Sequence, residues 1–193
     1  MLVDTRGHVL AAVDLETTGL DSTFHEIIQI AVVPYTADLE PLAEPFVAWL
    51  VPDRPERWSP EAQEVHGLSI DDLRRDGHAP AQVEQWLVEY VRRLCPAEGQ
   101  KLLPLAHNWA FESSFLDAWL GGALKNQLFH YHARDSMTVA GFLRDRGLLG
   151  LRDADSSLSL DSLGRRLGVT NDRPHDALHD AIACANVYRL LVT

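Results

Sequence analysis

Three apolar segments make up about half of the first 51 residues: 8–14 (HVLAAVD), 26–35 (EIIQIAVVPY) and 44–51 (EPFVAWLV). The first is a short apolar run that stops at an acid and a Thr-Thr-Gly turn, as a buried strand does. The second is rich in Ile and Val, and the third has the same strand-like character. Strands that follow one another through short connections pair antiparallel, so the chain is expected to open with a three-stranded meander.

The character then changes. Residues 59–66 predict a short helix with Ser59 as N-cap and Pro60 in the first turn. Val83, Leu87, Tyr90, Val91 and Leu94 are at helical spacing within 80–94. Residues 101–106 (KLLPLA) predict a strand in which Pro104 suits an edge or a bulge. A helix follows over 109–120, with Phe111, Phe115, Ala118 and Trp119 on one face. A last strand is expected at 127–132, a helix at 135–146, a loop at 147–157, and closing helices near 158–167 and 176–191. Three strands followed by alternating helices and strands imply an α/β fold: a mixed sheet of about five strands flanked by helices. No repeat, low-complexity tract or linker divides the 193 residues, so one domain over 1–193 is expected.

Acids punctuate this pattern at three places. Asp14 and Glu16 are two apart at the end of a strand, so they share a face and repel each other unless a cation lies between them. Read blandly, they are exposed loop acids; the apolar strand behind them favours a site. Glu112 borders the apolar stripe of the 109–120 helix, where an acid often reaches for solvent, and Asn108 stands where a cap would. In the run His175-Asp176-Ala177-Leu178-His179-Asp180, His175 and Asp180 are five apart. At about 100° per residue that puts them roughly 140° apart around a helix. They do not share a helical face, and Pro174 places His175 on the loop leading in. A polar helix start, with acids favoured by the dipole, is the bland alternative. An HD-type phosphohydrolase is a sharper one, but its all-α architecture conflicts with the opening strands.

Together the motifs supply four carboxylates and one histidine. Oxygen donors of this kind suit Mg²⁺ or Mn²⁺ rather than Zn²⁺. Two such ions about 3.5–4 Å apart activate a water and stabilise the leaving oxygen of a phosphodiester. A histidine is the natural base for that water. The net charge of −11 opposes a long duplex footprint. It is compatible with gathered acids that hold cations facing phosphate, in an enzyme that grips a few nucleotides at an end.

The motifs resemble those of the DEDDh, or DnaQ-like, 3′→5′ exonucleases of the ribonuclease H-like superfamily. Val13-Asp14-Leu15-Glu16-Thr17-Thr18-Gly19-Leu20 is similar to the family's first motif. His107-Asn108-Trp109-Ala110-Phe111 with Phe115-Leu116 is similar to the second, and His175-x-Ala177-x-x-Asp180 to the third. Val65-His66-Gly67-Leu68 resembles the family's His-Gly loop, and 160–169 the segment before the third motif. The likeness runs from about residue 8 to the end. One position departs: Glu112 stands where the family has aspartate.

The resemblance implies that Asp14 bridges two metals, that Glu16 and Asp180 hold the first, and that Glu112 serves the second. It makes His175 the general base. It places Thr17 and His66 at the terminal nucleotide, and Asn108 and Phe111 along its pocket, although Thr17 also reads as a turn residue and Phe111 as a core residue. The expected substrate is the 3′ end of single-stranded nucleic acid, with DNA slightly favoured. The expected products are nucleoside monophosphates, and the setting is DNA repair or proofreading. An RNA trimmer of the ribonuclease T or oligoribonuclease type is the alternative, and a non-catalytic nucleic-acid or polymerase-binding module a further one. No polymerase-docking tail follows the last helix before Thr193, which favours a stand-alone enzyme. The start, MLVDTRGHVLAAVD, is unlike a secretory signal, and no run approaches the roughly 20 apolar residues of a membrane span. With Cys95 and Cys184 read as reduced core thiols, a cytoplasmic protein is expected.

Overall fold

β1 (Val9–Thr17), β2 (Ile27–Tyr35) and β3 (Phe46–Trp49) form the antiparallel meander expected of the opening segments. They belong to a computed structural model that describes residues 2–149 and 157–193. β4 (Leu102–Ala106) lies parallel to β1, and β5 (Arg134–Asp135) parallel to β4, so the sheet is mixed, with the order β3-β2-β1-β4-β5. Around it run α1 (Pro60–His66), α2 (Ile70–Asp76), α3 (Pro80–Leu94), α4 (Trp109–Leu128), α5 (Ser136–Asp145), α6 (Leu160–Leu167) and α7 (Ala177–Val192).

Alternation along β1 divides the core. Val9, Ala11, Val13 and Leu15 face α3 and α4 through Val83, Leu87, Phe115 and Leu116. Leu10 and Ala12 face the other way, with Ala31 and Val33 of β2, and meet Ala177, Ala181, Cys184 and Ala185 of α7. Alanines on both sides of that contact let α7 lie close to the sheet, because interaxial distance follows side-chain size. Cys95 and Cys184 are free and buried. Among the described residues, no helix is long and apolar enough to cross a membrane.

Pro104 is an interior residue of the sheet rather than of an edge strand, and the ladder shows how it is tolerated. The Lys101 carbonyl accepts from Val9 N towards β1, and the Leu102 carbonyl accepts from His130 N on the opposite side. By alternation Pro104 turns its nitrogen away from β1, to the side where β5 pairs only Leu105 and Ala106.

Four expectations are corrected. β1 runs on past Asp14 to Thr17, so Asp14 stands inside the strand and Glu16 at its second-last residue, where regular pairing ends. α4 continues beyond residue 120 to Leu128 across a kink at Gly121, whose φ of 72° and ψ of 147° suit glycine. The last strand is Arg134–Asp135 rather than 127–132, because 127 and 128 still belong to α4 and Phe129 only bridges to Leu102. α2 was not expected. Ser69 caps it, accepting from Asp72 N at 3.2 Å, but only Leu73 on it is buried, which leaves no apolar period to read. Residues 150–156, most of the expected loop, lie outside the described residues.

Candidate active site

Asp14 and Glu16 point from β1 to the α7 face, opposite Ala31 and Gln29 in the antiparallel register. The ladder slips between Glu16 and Thr17, a bulge that ends regular pairing at this point. Asp180 comes from the first turn of α7. One carboxylate oxygen from each of Asp14, Glu16 and Asp180 lies within 4.8 Å of the other two, and among the described residues this is the group able to hold a metal ion.

Such crowding raises the carboxyl pKa values. Asp14 is pushed well above the usual range by burial first, then by Glu112, Asp180, Glu16 and Asp176. Burial, with Asp180 and Asp176 behind it, raises Glu16 to about 8. Asp180 is raised by burial, against the hydrogen bonds it accepts. Glu112, 4% exposed in the first turn of α4, is raised to about 8 by burial, with Asp135 adding to the effect. Its Oε2 is buried and has no hydrogen-bond partner. Asp176 contrasts with these: burial raises it, but bonds from His179 and Gln29 outweigh that and leave it lowered. It is the N-cap of α7.

His175 stands on the turn before α7, as the spacing to Asp180 predicts. It is exposed and left-handed at φ 64°, a strained state for a residue with a side chain. Its backbone N–H donates to Asp180 Oδ2 at 3.1 Å, and the Asn171 amide donates to Asp180 Oδ1. His66, at the end of α1, has its pKa lowered by burial and by His175, which places the two imidazoles in one neighbourhood. Its Nδ1 accepts from Leu68 N at 3.0 Å, and its Nε2 is buried without a partner.

The remaining expected residues divide. Asn108 holds the N-cap position of α4, also left-handed at φ 89°, but its side chain does not cap. Asp135 takes over, accepting from Trp109 N at 2.6 Å. Thr17 is buried and its hydroxyl donates to the Gly19 carbonyl at 2.7 Å, so it shapes the turn. Phe111 is half-buried, its ring centroid 4.8 Å from that of Phe115, and packs on the α3–α4 core. Beside His175 and Asp180 a cavity of about 460 Å³ opens between α6 and the start of α7, with Leu160, Val169 and Ala183 in its wall.

An exonuclease family model, RNase_T, matches residues 11–188. The chain belongs to this exonuclease family. Ribonuclease T of Actinobacillus pleuropneumoniae is 25% identical, over 96% of this chain and 86% of that protein. The 3′-5′ DNA exonuclease Cap18 of Escherichia coli is 24% identical, over 97% of this chain and 93% of its own length. A PolC-type DNA polymerase III of Thermotoga maritima is 29% identical, but this chain spans only 11% of it. Among solved structures, a zinc-bound E. coli exonuclease I–ssDNA complex superposes with a TM-score of 0.79 at 19% identity, over 95% of this chain and 40% of that one. At that identity the likeness is one of fold, ribonuclease H-like, and this chain spans about two fifths of exonuclease I.

Four site-supporting residues escaped the sequence reading. Asp135 opens the helix expected at 135–146, but nothing in the sequence ties it to Trp109, and Asn171 lies in a segment without apolar period. Ser136, fully buried, bonds His107 Nδ1 at 2.7 Å and steadies the end of β4. Gln29 left a signal: an amide in the middle of an Ile/Val run.

Proposed function

We propose that the chain is a metal-dependent 3′→5′ exonuclease acting on single-stranded ends, with DNA slightly favoured, and that residues 1–193 act as one exonuclease unit. The observation that carries this is the meeting of Asp14, Glu16 and Asp180 oxygens within 4.8 Å, with the His175 turn bonded to the same Asp180. The donor set fits a hard divalent cation: all ligands are oxygens, and the buried Glu112 Oε2 lacks any other partner. Asp14, Glu16 and Asp180 would hold one Mg²⁺ or Mn²⁺, and Glu112 with Asp14 a second. Such ions lower the pKa of water and neutralise charge on a phosphodiester.

The chain's own residues do the rest. The His175 imidazole accepts a proton from the attacking water, whose oxygen bonds to the terminal phosphorus as the P–O3′ bond to the preceding nucleotide breaks. The released O3′ takes up a proton. The products are a nucleoside 5′-monophosphate and a strand one nucleotide shorter. His66 and Asn108 line the terminal nucleotide, and the Phe111 ring offers it a stacking face, whereas Thr17 acts through the turn that it closes. Cap18, named a DNA exonuclease, aligns over nearly its whole length, which supports DNA. Ribonuclease T and an oligoribonuclease of Halorhodospira halophila align comparably and support the RNA-trimming alternative.

The test is incubation of purified protein with 3′-labelled and 5′-labelled single-stranded DNA and RNA, with Mg²⁺, Mn²⁺ or excess chelator. Expected is early release of 3′ label as mononucleotide, with metal only. Undiminished hydrolysis in chelator, or early loss of the 5′ label, removes the reading.

A further inference from the structure

Gln29 interrupts the apolar run of β2 and is 1% exposed. In the β1–β2 register it lies directly across from Glu16, so the two side chains leave the same face of the sheet with Cβ atoms about 4.5–5.5 Å apart. Its amide is directed at the start of α7. Oε1 accepts from Ala177 N at 3.1 Å, and Nε2 donates to Asp176 Oδ2 at 3.3 Å. The orientation of the amide follows from chemistry, since only its oxygen can face a backbone N–H and only its nitrogen a carboxylate. Asp176 is engaged on its other side too: Oδ1 accepts from His179 N at 3.3 Å and from His179 Nδ1 at 2.8 Å.

These bonds do something that packing does not. The alanines between α7 and the sheet set how close the helix lies, but small side chains offer little to lock its slide or rotation. Two directed hydrogen bonds to its first turn fix both. His175 precedes Asp176, and Asp180 lies one turn beyond it, with its own backbone N–H donating to the Asp176 carbonyl at 2.9 Å. We propose that Gln29 is a positioning residue for the hydrolysis: through Asp176 and Ala177 it sets His175 and Asp180 against Asp14 and Glu16. This rests on the nuclease reading above. It also says why the residue is an amide. A glutamate of the same shape has no proton to give the Asp176 carboxylate, and it adds a negative charge beside Glu16.

The experiment exchanges donor and acceptor. Gln29→Glu removes the donor; adding Asp176→Asn supplies one from the other side, while the Asn carbonyl oxygen still caps His179 N. Single-turnover and steady-state rates on a labelled single-stranded oligonucleotide, melting temperature, and the His175 ring resonances are measured for wild type, single and double variants. Expected for Gln29→Glu is a kcat lower by about tenfold or more, with KM changed less than about threefold, since a displacement near 1 Å costs catalysis on that scale. The His175 resonances shift with it. In the double variant kcat returns to within about threefold of wild type and the resonances return too, as a restored bond predicts. A single variant with wild-type kcat overturns the proposal, whatever its melting temperature. So does a double variant that melts like wild type but stays slow. A wild-type protein inactive on every single-stranded substrate with either metal is a different failure, and it removes the nuclease reading itself.

Discussion

Glu112 has a buried carboxylate oxygen that no hydrogen bond satisfies, a costly arrangement unless a cation shares the space. A glutamate reaches about 1.5 Å further than the family's aspartate, one carbon–carbon bond. Its position outside the tight group of Asp14, Glu16 and Asp180 suits service to a second ion. Mg²⁺ demands near-ideal octahedral geometry, and Mn²⁺ is expected to be the more forgiving ion. Glu112→Asp is therefore expected to stay active and to raise the Mg²⁺-supported rate relative to the Mn²⁺-supported one. Glu112→Ala and Glu112→Gln lose most activity. Rates with each ion across the three variants decide it, and a wild-type rate in Glu112→Ala takes the residue out of the site. Asp14→Ala is expected to be the most damaging single change, because on the proposed reading Asp14 serves both ions, and it is the acid pressed by Glu112, Asp180, Glu16 and Asp176 together. A near-native rate in that variant means the centre lies elsewhere. The meeting of Asp14, Glu16 and Asp180 was legible because motif spacing carries it. Gln29, Asn171 and the link from Asp135 to α4 were not, because each of these bonds joins residues at least nine and up to 148 positions apart.

At the scale of elements, the site depends on where α4 and α7 begin, and each start is fixed by a residue outside the motifs. Gln29 does this for α7. Asp135 does it for α4, and it serves two helices: Oδ2 accepts from Trp109 N, and Oδ1 accepts from Thr138 N at 2.8 Å as the N-cap of α5. Losing one cap costs about 0.5–2 kcal/mol, so Asp135→Ala is expected to lower unfolding free energy by about 1–4 kcal/mol. Because Glu112 lies in the α4 turn that Asp135 caps, the rate is expected to fall as well. Urea unfolding, read beside the rate, checks both, and a stability within error of wild type rules out the double cap. The elements themselves were legible wherever burial imposes a pattern: a continuous apolar run in β1 and β2, which are buried on both faces, and a helical period in α3. They were not where it does not. α2 buries a single leucine, and the two-residue β5 carries no pattern of its own. α4 outran its expected end because a glycine at φ 72° kinks the helix without ending it.

Across the whole molecule the acids outnumber the bases, 28 Asp and Glu against 17 Lys and Arg. Counterion release rewards basic contact with many phosphates, which such a surface is poorly placed to make. Single-stranded ends are accordingly expected to be degraded faster than blunt duplex, and equal rates on the two count against this. Part of the negative charge is concentrated in the site, and there it is expected to tie folding to metal binding. Glu16 and Glu112 titrate near 8 in the folded protein, against about 4.3 in the unfolded chain. The folded state therefore keeps protons that the unfolded state has released, and stability is lost as pH rises between those values. His8, His66 and His107 act oppositely, because burial lowers their pKa values and favours folding as pH rises through the range below and around 6.5. Half of each unfolded imidazole is still protonated at that pH, and the contribution fades about one pH unit higher. The buried thiols of Cys95 and Cys184, raised to about 11 for Cys95 and further for Cys184, enter only at higher pH. Between pH 6.5 and 8 the raised carboxylates of the site thus outweigh the fading imidazole contribution. In chelator the melting temperature is expected to fall across that interval. With saturating Mg²⁺ or Mn²⁺, which replaces the protons and binds the ionised form, the fall is reduced, and the gain from metal is greatest at pH 8. In Asp14→Asn, which removes one ionisable carboxylate from the cluster, the metal-dependent gain shrinks. A melting temperature that is flat from pH 6.5 to 8 and indifferent to either cation means that the buried acids are not a metal centre.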